Sequence, residues 1–222
     1  MNELDLEAAP AAPLAEILRP KTLDDVVGQA PLLGPQGRLR LMLAHGSLGS
    51  IIFWGPPGTG KTTIARLLAD AADMAFEPIS AVFDGVGELR KVFDRAAQRR
   101  LQGQRTLLFV DEVHRFNKAQ QDGLLPRVED GTVTLVGATT ENPSFALNGA
   151  LLSRAQVLVL DRLDSAALEA ILSRLEVHIG RDLPIDDDAR AALLGLADGD
   201  GRYLLNMASL LVEMPAATRL GS

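Results

Sequence analysis

Residues 55–62 read Gly-Pro-Pro-Gly-Thr-Gly-Lys-Thr, which fits the spacing G-x-x-x-x-G-K-[ST] of a phosphate-binding P-loop. Few strings of eight residues constrain a fold as much. The string works only where a strand ends, a glycine-rich loop turns its amides toward an anion, and a helix begins. The flanks meet that demand. Ser50-Ile51-Ile52-Phe53-Trp54 is short and β-prone, and Ile64-Ala65-Arg66-Leu67-Leu68-Ala69 is rich in helix formers. Glycines at 55, 58 and 60 leave the loop free to approach a ligand closely. Lys61 is positioned for the β/γ-phosphates of a nucleotide and Thr62 for Mg²⁺.

Short apolar runs recur downstream at Ile51–Trp54, Ala75–Ile79, Thr106–Val110, Thr132–Val136 and Gln156–Leu160. Helical periodicity separates them, as in Val86–Phe93. Apolar strands alternating with helices predict an α/β fold with a parallel sheet covered on both faces. After Arg162 the strands stop. Segments 164–178, 186–197 and 202–213 read as helices, with Asp164 and Asp186 as caps and Gly199 and Gly201 as punctuation. The expected organisation is a mobile tail over 1–13, a nucleotide-binding core over 14–161 and a small all-helical unit over 162–222.

Bulk properties narrow the classes. A hydrophobic content of 47% supplies a core, and the absence of cysteine excludes disulfides and thiolate metal sites. No cationic start precedes an apolar segment, and no apolar run is long enough to cross a bilayer. A cytoplasmic protein with no membrane partner is expected. The net charge of −7 argues against a dedicated nucleic-acid binder, yet a basic strip can sit on an acidic protein.

Hydrolysis needs carboxylates opposite the loop. Leu107-Leu108-Phe109-Val110-Asp111-Glu112 is an apolar strand ending in two acids, where open α/β sheets bind ligands. Asp111 is the expected Mg²⁺ holder and Glu112 the group that polarises the attacking water. Three further residues have two readings each. Thr140 either bonds the γ-phosphate or caps the following turn. Arg154 is either a finger on a γ-phosphate or a solvated charge. Arg202, opening the last helix, either reaches the phosphates or lies in solvent. His114 follows the acids, but no histidine lies four residues on, so the zinc pattern is not met.

These motifs together carry a resemblance. Arg19-Pro20-Lys21-Thr22-Leu23-Asp24-Asp25-Val26-Val27-Gly28-Gln29, the P-loop, the Asp111-Glu112 pair, the Gly137–Thr140 strand exit and Arg154 resemble AAA+ ATPases of the clamp-loader and branch-migration-motor group. Asp111–Asp122 and Gly137–Phe145 are similar, more narrowly, to the replication-associated recombination protein A family. Similarity runs from about residue 14 to residue 213. It implies a five-stranded core with a three-helix lid, ATP and Mg²⁺ as ligands, and Gly55, Pro56, Pro57, Gly58, Thr59, Gly60, Lys61, Thr62 and Thr63 around the phosphates. It also implies Leu18, Arg19, Val26 and Val27 against the adenine, Thr140 as sensor 1, Arg154 as a finger acting on a neighbouring subunit, and Arg202 as sensor 2.

Members of the family are DNA-dependent ATPases acting at stalled forks, on single strand–duplex junctions and with single-stranded-DNA-binding protein. The resemblance thus implies a cytoplasmic, nucleoid-associated protein. It places DNA on the helix near Asn117, Lys118 and Gln120, whose side chains suit phosphate rather than base contact. Arg99, Arg100 and Arg105 are a second candidate, and an ordinary solvated helix a third reading. Family members continue into a helical domain that drives tetramer assembly. A chain ending at Ser222 is therefore expected to be a truncated or short form, mostly monomeric and feeble in turnover. Tyr203 stands where a second arginine is common, and Gly123 interrupts a helix at up to about 1 kcal/mol relative to alanine. A clamp-loader or Holliday-junction branch-migration subunit is the alternative within the fold, although the Glu141–Phe145 motif favours the first family. A nucleotide-gated binding module with incidental turnover is the alternative outside it.

Overall fold

A computed structural model describes residues 12–214. The expected tail, residues 1–13, lies outside them apart from its last two residues, as does the end of the helical unit, 215–222. Five strands, β1 (Ile51–Trp54), β2 (Met74–Ser80), β3 (Arg105–Asp111), β4 (Thr134–Thr139) and β5 (Gln156–Val159), form one sheet in the order β2-β3-β4-β1-β5. Every pairing is parallel, as the strand–helix alternation predicts.

The alternation of side chains within each strand builds two cores. Ile51 and Phe53 of β1 and Leu107 and Phe109 of β3 face one side, and Ile52, Leu108 and Val110 face the other. The first side is covered by α2 (Ala30–Leu33), α3 (Arg38–Ala44) and α4 (Lys61–Ala71), through Leu33, Leu39, Ile64 and Leu68. The second is covered by α5 (Val86–Leu101), α6 (Lys118–Glu129), α7 (Pro143–Ala146) and α8 (Gly149–Leu152), chiefly through Val92, Leu124 and Leu151. Phe53 and Phe109 are both fully or almost fully buried. Truncating either to alanine is expected to cost about 3–5 kcal/mol.

The bounds of one strand differ from expectation by more than a single residue. The run Thr132–Val136 predicted β4, but the strand covers Thr134–Thr139. Gly131 turns with φ 71°, the Thr132 amide donates to Asp130 Oδ1, and the Val133 amide donates to Arg127 O, so the turn persists through Val133. The strand continues through Gly137, Ala138 and Thr139, whose partners in β1 are Ile52, Phe53 and Trp54.

The helical end comprises α9 (Ser165–Ile179), α10 (Asp187–Ala197) and α11 (Gly201–Val212). Each begins on an aspartate. Asp164, Asp186 and Asp200 accept from the amides of Ala167, Ala189 and Tyr203, all at 2.8 Å, caps worth about 1 kcal/mol apiece. Leu168, Leu172, Leu193 and Leu204 form a third core. Arg190 bonds both Glu169 and Glu176, tying α10 to α9. The same guanidinium holds the Glu176 carboxyl below the usual carboxylate range.

The N-terminal segment divides its loyalty. Leu23 and Val26 pack on the sheet core, whereas Leu14, Ala15, Leu18 and Val27 pack on the helical core. α1 (Leu14–Ile17) therefore belongs with the helices, although residues 14–161 were expected to be one core. Among the described residues no helix is long and apolar enough to cross a membrane.

Candidate active site

A cavity of about 540 Å³ opens between the P-loop and the helical end, within the range of small-molecule sites. Its polar floor is the loop from Pro57 to Thr63 with Asp111 and Glu112, and Arg202 stands on the opposite wall. Its apolar flank is Leu18, Val26, Val27, Leu163, Ile171 and Leu205. Arg19 also lines it, donating to Thr63 Oγ1 at 3.1 Å and pairing with Glu16. Residues more than a hundred positions apart in the sequence, among them Leu18, Lys61, Asp111 and Arg202, thus line one cavity.

The loop is shaped from both sides. Gly58 and Gly60 have φ of 69° and 97°, the left-handed region that glycine enters without penalty. A Cβ at Gly58 would lie 1.8 Å from Asp200 Oδ1, so that position excludes any side chain. The Gly201 amide donates to Gly58 O at 3.2 Å, joining the loop to the start of α11 and bringing Arg202 over it. Asp200, which shapes the loop from the helical end, was not among the residues singled out from the sequence. Its position before Gly201 marks a helix cap, but its contact with Gly58 is set only by the packing of the helical end on the core.

Lys61 is buried, and its Nζ donates to Gly55 O at 2.8 Å and Pro56 O at 2.6 Å. Burial pushes its pKa down, and the nearby Glu112, Asp111 and Asp200 carboxylates oppose that shift. Gly55 and Pro56 therefore hold the lysine rather than line the cavity. A Cβ at Gly55 would meet Leu160 O at 2.2 Å, so this glycine seats the strand exit against β5's end.

Asp111 ends β3, and its Oδ1 accepts from the Glu112 amide at 3.2 Å. Glu112 itself has φ 52° and ψ 45°, a left-handed conformation uncommon for a residue of this kind. Its Oε2 lies 3.3 Å from His114 Nε2. Thr62 and Asp111 are both oxygen donors on the cavity. Among the described residues no group of three or more His, Cys, Asp or Glu would hold a metal by itself. Two protein oxygens beside a phosphate cradle suit Mg²⁺, which takes one or two protein ligands and completes its shell with water and phosphate. When bound there it would neutralise charge on the phosphate oxygens.

Other expected residues lie elsewhere. Thr140 is exposed just beyond β4 and borders a smaller cleft behind the loop, with Gly55, Pro56 and Pro57. Thr139, the buried residue before it, bonds His114 Nδ1 at 2.9 Å. Arg154 is not among the residues lining the cavity; it pairs with Glu129 and donates to Ala150 O at 3.0 Å. Asn117 and Gln120 cap α6 reciprocally, each side-chain oxygen accepting the other's amide at 2.9 Å. Their NH₂ groups and the exposed Lys118 remain as donors. The second basic candidate is committed to structure. Arg99 bonds Glu77, Arg105 donates to Ala72 O at 2.7 Å, and Arg100 lies 3.8 Å from Asp130.

The sequence profile of the ATPase family associated with various cellular activities (AAA) matches residues 51–163. Replication-associated recombination protein A of Escherichia coli K12 is 47% identical over 216 residues, covering 95% of this chain and 48% of its own. The protein of that name from Coxiella burnetii is 49% identical over 206 residues, covering 90% of this chain and 46% of its own. The RuvB Holliday junction branch migration motor of Thermotoga maritima superposes with a TM-score of 0.68 at 28% identity, covering 86% of this chain and 64% of that one. The chain spans about half the length of the curated relatives it matches. A strand–loop–helix phosphate cradle, acids at the end of a neighbouring parallel strand and the match across β1 to β5 lead to one assignment: the chain belongs to the AAA family of ATPases.

Proposed function

We propose that this chain is the Mg²⁺-dependent ATP-hydrolysing part of a protein that maintains DNA replication and recombination at stalled or damaged forks. The observation that carries the reading is the convergence of Lys61, Asp111, Glu112 and Arg202 on one cavity with an apolar flank. Lys61 and the loop amides bind the phosphates, Thr62 and Asp111 hold Mg²⁺, and Leu18, Val26 and Val27 flank the base. Glu112 polarises the attacking water, with one carboxylate oxygen toward His114 and the other available to the water. Arg202 steadies the γ-phosphate from the helical end, and Thr140 joins it on a small rearrangement of the strand exit. Arg154, which pairs with Glu129 and does not line its own cavity, serves the site of a neighbouring copy.

DNA enters the reading through two lines. The relatives are named for replication-associated recombination, and Lys118 is exposed at the capped start of α6 beside two amide donors. Backbone contact of this type reads phosphate rather than sequence. We assign single strand–duplex junctions as the substrate, single-stranded-DNA-binding protein as a partner and the nucleoid-bearing cytoplasm as the setting. The chain spans about half the length of its curated relatives, and we assign it, by itself, a mostly monomeric state with slow turnover.

The deciding experiment is the ATPase rate with and without forked DNA, and with Mg²⁺ chelated, on this chain and on a version extended past residue 222. Stimulation by forks in the extended protein, lost on chelation, is expected. A rate indifferent to DNA in both would leave the nucleotide-gated binding module as the better reading. Lys118→Glu should remove stimulation at unchanged basal rate; undiminished stimulation would take DNA off α6.

A further inference from the structure

The side chain of His114 is buried beside the candidate site, with only 3% of it exposed. It lies in the short 3-10 turn directly after Glu112. Both ring nitrogens are engaged. Nδ1 is 2.9 Å from Thr139 Oγ1, while Nε2 is 3.3 Å from Glu112 Oε2 and 3.4 Å from Glu141 Oε1.

The two carboxylates facing Nε2 call for a proton there, and the Thr139 hydroxyl can then donate to Nδ1. Thr139 Oγ1 accepts from the Glu141 amide at 3.0 Å and has one proton to give. His114 Nδ1 at 2.9 Å is a closer recipient than Glu141 O at 3.2 Å. An Nδ1 that accepts leaves the proton of a neutral ring on Nε2. That N–H faces two carboxylates, both acceptor-only when ionised, and it serves one of them well at a time. One is the half-buried Glu112; the other is the more exposed Glu141, at the start of the surface turn that ends in Phe145.

We infer that His114 is a positioning residue for Glu112, and that Glu141 sets how firmly it does so by competing for the same N–H. The inference rests on the reading of Glu112 as the group that acts on water. With the N–H given to Glu112, one carboxylate oxygen is fixed and the other is aimed. With the N–H given to Glu141, Glu112 is loose on a left-handed backbone. A basic side chain drawing Glu141 outward would release the N–H to Glu112. The exposed turn would thereby report to the catalytic carboxylate through a single ring.

The first test does not need turnover. The ¹⁵N spectrum of the histidine rings at mildly alkaline pH is recorded for the wild-type chain, Glu112→Gln, Glu141→Ala and Thr139→Val, with His114→Ala identifying the signal among the rings of His45, His114 and His178. An Nε2-protonated ring is expected, with Nε2 moved by either carboxylate change and Nδ1 moved by Thr139→Val. An Nδ1-protonated ring, or nitrogens that ignore both carboxylates, overturns the inference. The second test is kinetic. His114→Ala should lower kcat roughly 10- to 100-fold at a nearly unchanged KM for ATP, and His114→Gln, which keeps an N–H donor, should recover part of it. Glu141→Ala should alter kcat in the wild-type background and leave it unmoved in His114→Ala. Independent, additive effects of the two substitutions would refute the shared N–H. A chain without any ATPase would defeat the functional reading, while the ring spectrum would still decide who receives the proton.

Discussion

The cavity and the face carrying Arg154 both present a cation, but they present it in opposite ways. Lys61 is buried and held by the Gly55 and Pro56 carbonyls, so its ammonium is in position before any ligand arrives. Arg154 is exposed and leans on Glu129 at the end of α6. The first is preorganised, the condition under which electrostatic groups contribute most to a transition state. The second must leave a carboxylate before it can serve a phosphate. On the proposed function, binding needs only one chain, whereas a finger at Arg154 would have to exchange Glu129 for an anion offered by a second copy.

That contrast can be broken experimentally. The largest effect is expected from Lys61→Ala: turnover is abolished and nucleotide affinity falls roughly 10- to 100-fold, measured by fluorescent-nucleotide titration. Retained hydrolysis would mean the buried ammonium is only structural. Glu112→Gln comes next, lowering kcat about 10²- to 10⁴-fold with affinity unchanged; wild-type rates would remove Glu112 from the chemistry. Arg154→Ala should leave nucleotide binding by this chain intact and lower turnover only in an assembled form, by mixing with Lys61→Ala subunits in an extended protein. A defect in monomer affinity would place Arg154 in its own subunit's site, against the contrast. The smallest effect belongs to Gly123→Ala. A Cβ there meets nothing within 4 Å, so α6 should gain up to about 1 kcal/mol, read by thermal melting. The same helix bears Lys118 at one end and Glu129 at the other. A change in basal turnover with that substitution would show that the face is coupled to the cavity although no residue of α6 lines it.

The sequence made the preorganised half far more legible than the other. The P-loop spacing, the strand runs and the Asp111-Glu112 pair report local chemistry, and all the strand runs but that of β4 lie within a residue of the observed strands. The bounds of β4 were not legible, because Asp130 and Arg127 extend a turn that propensity alone assigns to strand. Nor was the seat of α1, since Leu14 and Leu18 choose the helical core through contacts with residues far along the chain. The Asp200–Gly58 approach and the His114 contacts depend on packing between elements, which no spacing rule encodes. Arg154 was visible as a candidate, but its pairing with Glu129 was not.

The backbone of Glu112 has one more consequence. A left-handed φ of 52° at a glutamate costs about 1–2 kcal/mol of folding free energy, spent at the very residue assigned to water. Asparagine tolerates this conformation better than glutamate does. Glu112→Asn is therefore expected to melt no lower than the parent, and by a few degrees higher if the penalty is relieved in full, while losing hydrolysis. Selection for heat resistance alone would push this position away from its acid, and selection for work would bring it back. A conflict of that kind, located at one dihedral angle, is how stability and activity come to be traded in a single residue.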